Sequence, residues 1–396
     1  MSASQKNSTR QITGQRPTWA EIDLDALAAN FHLIRQKVGQ GVDVMAVVKA
    51  DAYGHGAVLC AQRLASEGAG WFGVALPEEG IELRKAGIEQ PILCLGGFWE
   101  GQAAVCITYR LTPVVYRVDM LAALDRAAHE TGVIADVHLK IDTGMGRLGF
   151  RFDDLEEILS APKRFSNLRV DGLMTHFAAA DDPTCESLTE KQIARFGAAV
   201  AAFREAGYQP RYVHSTNSAG IYSHSDAWGN LIRPGGVLYG LWRDVLPLTD
   251  APPQLQPVMS LRSQVILLKW VPVGETIGYG CTFEASRKTL VATIPLGYDD
   301  GYPRALSNRG HVIVGGVYAS VIGRISMDLT LVDVTGIPDV ALGDEVLLIG
   351  TDQPSGLSVT AEELAKISGT LSYEITCGIG KRVPRIVREL NPKPTA

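Results

Sequence analysis

The sequence predicts an α/β protein: a (β/α)8 TIM-like barrel followed by a C-terminal, mostly antiparallel β domain. Two observations carry this expectation. Across residues 42–240, eight short apolar runs alternate with helix-like stretches. Beyond Ala251-Pro252-Pro253-Gln254 the texture changes to closely spaced strands rich in Val, Ile and Thr. Strand–helix alternation is the pattern of a parallel sheet covered by helices, and eight repeats suit a closed barrel. The short connection 216–229 keeps a doubly wound sheet as the competing arrangement.

In chain order, residues 1–17 are polar, lack the apolar stretch of an export signal, and read as a flexible tail. The barrel is expected over 18–252, although Trp19–Asp23 fits either domain. Its strands are expected at 43–48, 71–75, 91–95, 111–115, 134–141, 169–176, 211–215 and 230–233. Helices fall between them, as at 77–86 and 188–206, where apolar residues recur at i+3 and i+4. The β domain is expected over 253–396, with strands at 258–270, 288–295, 311–314, 317–322, 329–334 and 344–349. One helix interrupts it: Thr360 and Glu363 form a capping box and Gly369 ends the helix.

Bulk composition narrows the class. With 396 residues, 46% hydrophobic and 20% charged, the chain suits a two-domain globular enzyme. Its 37 basic and 43 acidic residues give no electrostatic case for nucleic acid or an anionic membrane, and no apolar run spans a bilayer. Six scattered cysteines without a C-x-x-C pair read as reduced thiols, so a cytoplasmic location without a bound metal is expected.

In such a barrel the chemistry sits on loops leaving the C-terminal ends of the strands. Lys49 and Tyr53 follow the first strand. Lys140, Asp142 and Arg147 lie on or after the fifth, and His176 ends the sixth. His214, Asn217 and Ser218 end the seventh; Arg233, Gly235 and Gly236 end the eighth. Lys49 stands between buried Val44-Met45-Ala46-Val47-Val48 and a glycine turn, where poor solvation favours the neutral amine that attacks a carbonyl. A strand-end lysine can also simply snorkel to water. Ser218 and Gly235-Gly236, on the last two loops, have the composition of a phosphate cradle.

Longer strings sharpen this. Ala46-Val47-Val48-Lys49-Ala50-Asp51-Ala52-Tyr53-Gly54-His55-Gly56 and Lys140-Ile141-Asp142-Thr143-Gly144-Met145-Gly146-Arg147 resemble motifs of bacterial alanine racemases. So do Asn217-Ser218-Ala219, Arg233-Pro234-Gly235, Ile277-Gly278-Tyr279-Gly280, Gly297-Tyr298-Asp299-Asp300-Gly301-Tyr302 and Gly323-Arg324-Ile325-Ser326-Met327-Asp328, in the family's order. The resemblance runs from Trp19 to Arg385. It implies a racemase interconverting L- and D-alanine with pyridoxal 5'-phosphate held by Lys49 as a Schiff base. Lys49 and Tyr279 would be bases on opposite faces of the substrate's Cα. An ordinary phenol titrates near 10, so neighbouring cations would have to bring Tyr279 closer to its working range.

The resemblance also implies that Arg233 faces the pyridine nitrogen, steadied by His176. A guanidinium cannot accept a proton, so it disfavours a protonated ring and the transamination that goes with it. Tyr53, Asn217, Ser218 and the backbone at Gly235 and Gly236 would bind the phosphate end. Arg147 would reach the cofactor's phenolic oxygen and the substrate carboxylate, with Lys140 carbamylated to orient it. Met327 would contact the same carboxylate, and Asp181, Tyr298, Arg304 and Arg324 would line the substrate access path. A homodimer is implied, with Tyr279 and Met327 serving the partner's barrel. Two departures stand out. Gly236 replaces a branched apolar residue, and Lys381 replaces a tyrosine or small residue beside the phosphate. Lys381 leaves selectivity open, with serine and other small amino acids as secondary substrates. Decarboxylases of the same architecture place a carboxylate at the ring nitrogen, and Arg233 and Tyr279 argue against them. Vitamin B6 carrier proteins are short barrels, and the additional β domain carrying Tyr279 and Met327 argues against those.

Overall fold

A computed structural model describes residues 15–247 and 252–388. Most of the expected tail (residues 1–14) and Ala251 of the expected domain boundary lie outside the described residues. The chain divides into two compact units: residues 23–258, and residues up to Ile22 together with Met259 onward.

The first unit is the barrel. Its strands are β2 (Asp43–Val47), β3 (Trp71–Val74), β4 (Ile92–Cys94), β5 (Thr112–Val115), β6 (Ala135–Asp142), β7 (Leu168–Met174), β8 (Tyr212–His214) and β9 (Leu231–Ile232). They follow the order β9-β2-β3-β4-β5-β6-β7-β8, and all these neighbours are parallel. The ring nearly closes through Asn230 N donating to Val213 O (3.1 Å) and Arg233 N to Thr216 O (3.3 Å). The competing doubly wound sheet is therefore excluded. Helix α1 (Leu24–Val38) is capped by Asp23, which accepts from Ala26 N, and buries Leu27, Phe31 and Ile34. A long helix, α2 (Glu186–Glu205), buries Gln192, Phe196, Val200 and Phe203 between β7 and β8 in sequence.

In the second unit, β1 (Thr18–Ile22), β10 (Met259–Gln264), β11 (Leu267–Val271), β12 (Thr289–Ile294), β13 (His311–Val314), β14 (Val317–Val321), β15 (Thr330–Asp333), β16 (Glu345–Thr351) and β17 (Arg385–Val387) form one sheet. Its order is β11-β12-β15-β14-β13-β16-β10-β1-β17, antiparallel except where β1 meets β17. The expected helix is present: Thr360 caps Ala361–Ser368 by accepting from Glu363 N, and Gly369 ends it in a left-handed conformation.

Three boundaries differ from expectation. Residues 18–22 belong to the β domain's sheet, because β1 pairs along its length with β10. Residues 253–258 stay with the barrel: Asn30 Nδ2 donates to Gln256 O (2.8 Å) and its Oδ1 accepts from Gln256 N (2.7 Å). The apolar run 258–270 is two strands. The chain leaves β16 after Gln264 and takes β12 as its new partner from Leu267.

Candidate active site

The chain after β2 does something no right-handed element does. Ala50, Asp51, Ala52 and Tyr53 all have positive φ (52°, 53°, 54° and 56°), a turn of left-handed helix directly after Lys49. Each such residue is disfavoured by about 1–2 kcal/mol. Local bonds hold the turn against that strain. Ala50 N donates to Glu79 Oε1 (2.6 Å), Ala57 N to Asp51 Oδ1 (2.7 Å) and Gly54 N to Ala50 O (3.0 Å). Strain of this kind persists where it positions functional groups. Here it turns Tyr53 inward to 7% exposure while Lys49 remains half-buried.

The last two loops meet beside Tyr53. A Cβ at Gly235 would lie 2.4 Å from Tyr53 Oη, so only glycine admits that approach. Gly235 N donates to Ser218 Oγ (3.0 Å). Asn217 gives its side-chain oxygen to Gly220 N (3.0 Å), which makes it the cap of Ser218–Ser223. Gly236 opens the 3-10 turn Gly236–Tyr239. A phosphate-sized group would meet two hydroxyls and side-chain-free backbone here.

Lys140 is 4% exposed, and burial, then Arg147 and Arg233, lower its amine to about 8. Lys49 adds to this effect and Asp142 opposes it. The Asp142 carboxylate is itself occupied, accepting from Gly144 N and Gly146 N (3.0 Å each) to shape the loop that carries exposed Arg147. Arg233 is 4% exposed. Its Nη2 donates to Thr175 O and Ser215 O (2.8 Å each) and approaches His176 Nδ1 at 3.3 Å. The expected support from His176 is thus the longest of the set. His214 Nδ1, only 2.7 Å from Arg233 Nη1, is the closer imidazole. Burial pulls the Arg233 guanidinium down to about 9 and keeps His176 well below the usual imidazole range.

Sequence reasoning gave no part to Gln192 of α2, which is fully buried. Its Nε2 donates to Thr143 Oγ1 (3.2 Å) and His176 O (3.0 Å), while its Oε1 accepts from Ala178 N (2.9 Å). It ties the Arg147 loop to the His176 loop. Nothing in the local pattern separates it from a solvated helix residue; only its burial does. Asp181 lies exposed farther along the second loop.

The β domain gathers the remaining candidates. Tyr279, between Gly278 and Gly280 (φ 75° and 73°), is 71% exposed. A Cβ at Gly280 would sit 2.7 Å from Arg324 Nη1, so the glycine lets that guanidinium lie beside the tyrosine's turn. Met327 is 51% exposed, and its carbonyl accepts from Asp299 N (3.1 Å), while Ser326 O accepts from Tyr298 N (3.0 Å). Arg382 clamps these two loops by bonding Asp299 and Asp328, and Arg16 bonds the buried Asp300 beneath them. Tyr298, Arg304 and Lys381 are exposed.

Two fully buried imidazoles make the barrel acid-sensitive. Burial pushes His138 down to about 3 and His214 well below its ordinary range. Unfolded histidines take up a proton near pH 6.5, so each ring withdraws about 1.4 kcal/mol per pH unit as the pH falls from there. Their contribution is complete above that pH and is lost toward the lowered values. The urea midpoint should drop steeply between about pH 6 and 4; a flat midpoint there would refute it.

The strand ends thus carry four cations, Lys49, Lys140, Arg147 and Arg233, around a hydroxyl-lined glycine cradle. The Asp142 carboxylate, which acts on Lys140, is already engaged by its own loop. Fold and charge together define a barrel enzyme built to grip an anionic group beside a reactive amine. Comparison with known proteins narrows this class. The models "Alanine racemase, N-terminal domain" and "Alanine racemase, C-terminal domain" match residues 22–242 and 258–387. An alanine racemase of Geobacter sulfurreducens is 46% identical over 95% of this chain and 98% of its own length. The alanine racemase structure of Clostridium difficile superposes with a TM-score of 0.88 at 36% identity, covering 96% of this chain and 97% of that one. A Bartonella henselae alanine racemase described with covalently bound pyridoxal phosphate gives 0.84 at 30% identity, over 94% and 99%. The chain belongs to the alanine racemase family.

Proposed function

We propose that Lys49 and Tyr279 exchange the Cα proton of alanine from opposite faces, with pyridoxal 5'-phosphate as the cofactor. The chain is an amino-acid racemase by its family, and the observation that carries the site assignment is the cluster of four cations beside a cradle closed by Gly235. The residues fit the cofactor. Lys49 would hold its carbonyl carbon; Tyr53, Ser218 and the Gly235–Gly236 backbone would hold the phosphate, with Asn217 shaping that turn by capping. When bound, the cofactor supplies an electron-withdrawing ring that acidifies the substrate's Cα–H.

The side chains do the rest. Arg233, unable to accept a proton, would face the ring nitrogen and keep the ring uncharged. Arg147 would pair with the substrate carboxylate, helped by the Met327 backbone of the partner subunit. Lys49 Nζ would take or return the proton on one face. Tyr279 Oη of the partner subunit would act on the other, with Arg324 beside its turn. This assigns a homodimer as the working unit, operating in the cytoplasm. Asp181, Tyr298, Arg304 and Arg324 would guide small zwitterions inward. Chiral chromatography of products from L-alanine, L-serine and L-lysine tests the assignment: racemised alanine without released carbon dioxide is expected, and a decarboxylated product would overturn it.

Lys140 fits carbamylation. Its neutral amine would attack carbon dioxide, forming an N–C bond and losing one proton, and the resulting anion would draw Arg147 toward it. Because the amine sits at about 8, its reactive neutral fraction grows as pH rises through that value. At a fixed concentration of dissolved ¹³CO₂, label uptake into decarbamylated enzyme should accelerate from about pH 7 to 9 and vanish in Lys140→Ala. Label retained in that variant would refute the site.

A further inference from the structure

Inside the barrel, behind Arg233, two histidines meet across a strand. His138 lies on β6 and His214 on β8, with β7 between them. Gly172 of β7 is in register with His138 on one side and Tyr212 on the other. A Cβ at Gly172 would come within 2.5 Å of the His138 ring, so the missing side chain is what lets that ring lean across the strand. His138 Nδ1 reaches His214 Nε2 at 2.8 Å, and His214 Nδ1 reaches Arg233 Nη1 at 2.7 Å. The rings of Trp71 and Tyr212 pack on His138, with centroids 5.3 and 5.9 Å away.

Only one proton arrangement satisfies this chain. Arg233 is always a donor, so His214 Nδ1 must be bare. The His214 proton then sits on Nε2 and is donated to His138 Nδ1, which must also be bare. The His138 proton is left on Nε2, an atom that is buried and has no hydrogen-bond partner among the described residues. The opposite arrangement would aim His214 Nδ1–H at a guanidinium N–H. A doubly protonated ring at either position would bring the same clash.

We propose that His138 is a positioning residue, acting through His214 to hold the Arg233 guanidinium in one orientation, with both imidazoles locked as Nε2–H tautomers. Its catalytic readout rests on Arg233 facing the cofactor's ring nitrogen; its tautomer readout does not. Hydrogen bonds in a buried chain polarise one another, so fixing both tautomers fixes the direction of the guanidinium. Partners one shell behind a metal ligand commonly change performance about ten- to a hundredfold, and an effect of the same order is expected for a partner behind Arg233.

Neutron diffraction of the holoenzyme tests the lock directly. Hydrogen on Nε2 of both rings and on neither Nδ1 is expected; a proton on His214 Nδ1 overturns the relay. In solution, His138→Phe keeps a ring but removes the acceptor. It should lower kcat about ten- to a hundredfold at little-changed KM and shift the bound cofactor's absorption band. His138→Gln restores an acceptor oxygen and should recover most of the loss. Gly172→Ala keeps the imidazole but displaces it, and should behave like His138→Phe. If His138→Phe does not fold, Gly172→Ala and the neutron map still decide. A His138→Phe enzyme matching the wild type in kcat and spectrum overturns the proposal, as does a His138→Gln enzyme no better than His138→Phe. Arg233→Gln with an unaltered cofactor spectrum would instead remove the reading of Arg233 on which the catalytic effect depends.

Discussion

Lys49→Ala should abolish racemisation, lowering kcat by at least about 10⁴-fold, and should remove the absorption band of lysine-bound cofactor. The effect is large because one amine serves two roles, anchoring the carbonyl group and handling a proton on one face. The left-handed turn at residues 50–53 ties the consequences together, since it places Tyr53 in the cradle immediately after the lysine. The cradle itself survives the substitution. Pyridoxal phosphate should therefore still bind, through Ser218, Tyr53 and the Gly235 turn, but reversibly and removable by dialysis. Added methylamine should restore part of the activity by replacing the missing amine. Retention of the lysine-bound spectrum in Lys49→Ala would show that another lysine, Lys140 being the nearest candidate by charge, carries the cofactor.

Tyr279→Phe should lower racemisation by about 10²–10⁴-fold with little change in cofactor binding, because it removes one proton-handling hydroxyl and leaves the barrel untouched. Its signature is asymmetry. In deuterated water one alanine enantiomer should continue to exchange its Cα proton through Lys49, while the other should not. Loss of exchange from both enantiomers alike would point to a packing role for the tyrosine. The 71% exposure of Tyr279 on its turn is what a group serving a second subunit would show. Mixing inactive Lys49→Ala and Tyr279→Phe proteins, dissociated and reassociated, should recover about a quarter of wild-type activity, since half the dimers are mixed and each mixed dimer has one intact site. No recovery would mean that each subunit uses its own Tyr279.

Much of this was legible in one dimension. Most of the eight barrel strands announce themselves because parallel strands covered on both faces read as short, mainly apolar runs, and each ends within a residue or two of its expected position. The helix 361–368 is written by its own caps, Thr360 and Gly369, whose effects are local. Gln192 was not legible. Neither was the split of 258–270 into β10 and β11, because an apolar run does not record which neighbour it pairs with. The left-handed turn after Lys49 has no signature either: Ala50, Asp51 and Ala52 are ordinary helix-compatible types, held in a disfavoured region by bonds to Glu79 and to residues downstream.

The sequence by itself determined the element types, the barrel, and which polar side chains stand at the strand ends, because periodicity, capping and turn chemistry act over a few residues. Only the tertiary structure decided that residues 18–22 complete the β domain's sheet and that His214 is the close imidazole partner of Arg233. It also decided that Gly172 makes room for His138. Each of these depends on groups brought together from distant parts of the chain. Hydrogen bonding and steric exclusion at contact distance are blind to sequence separation, so no local pattern can carry them.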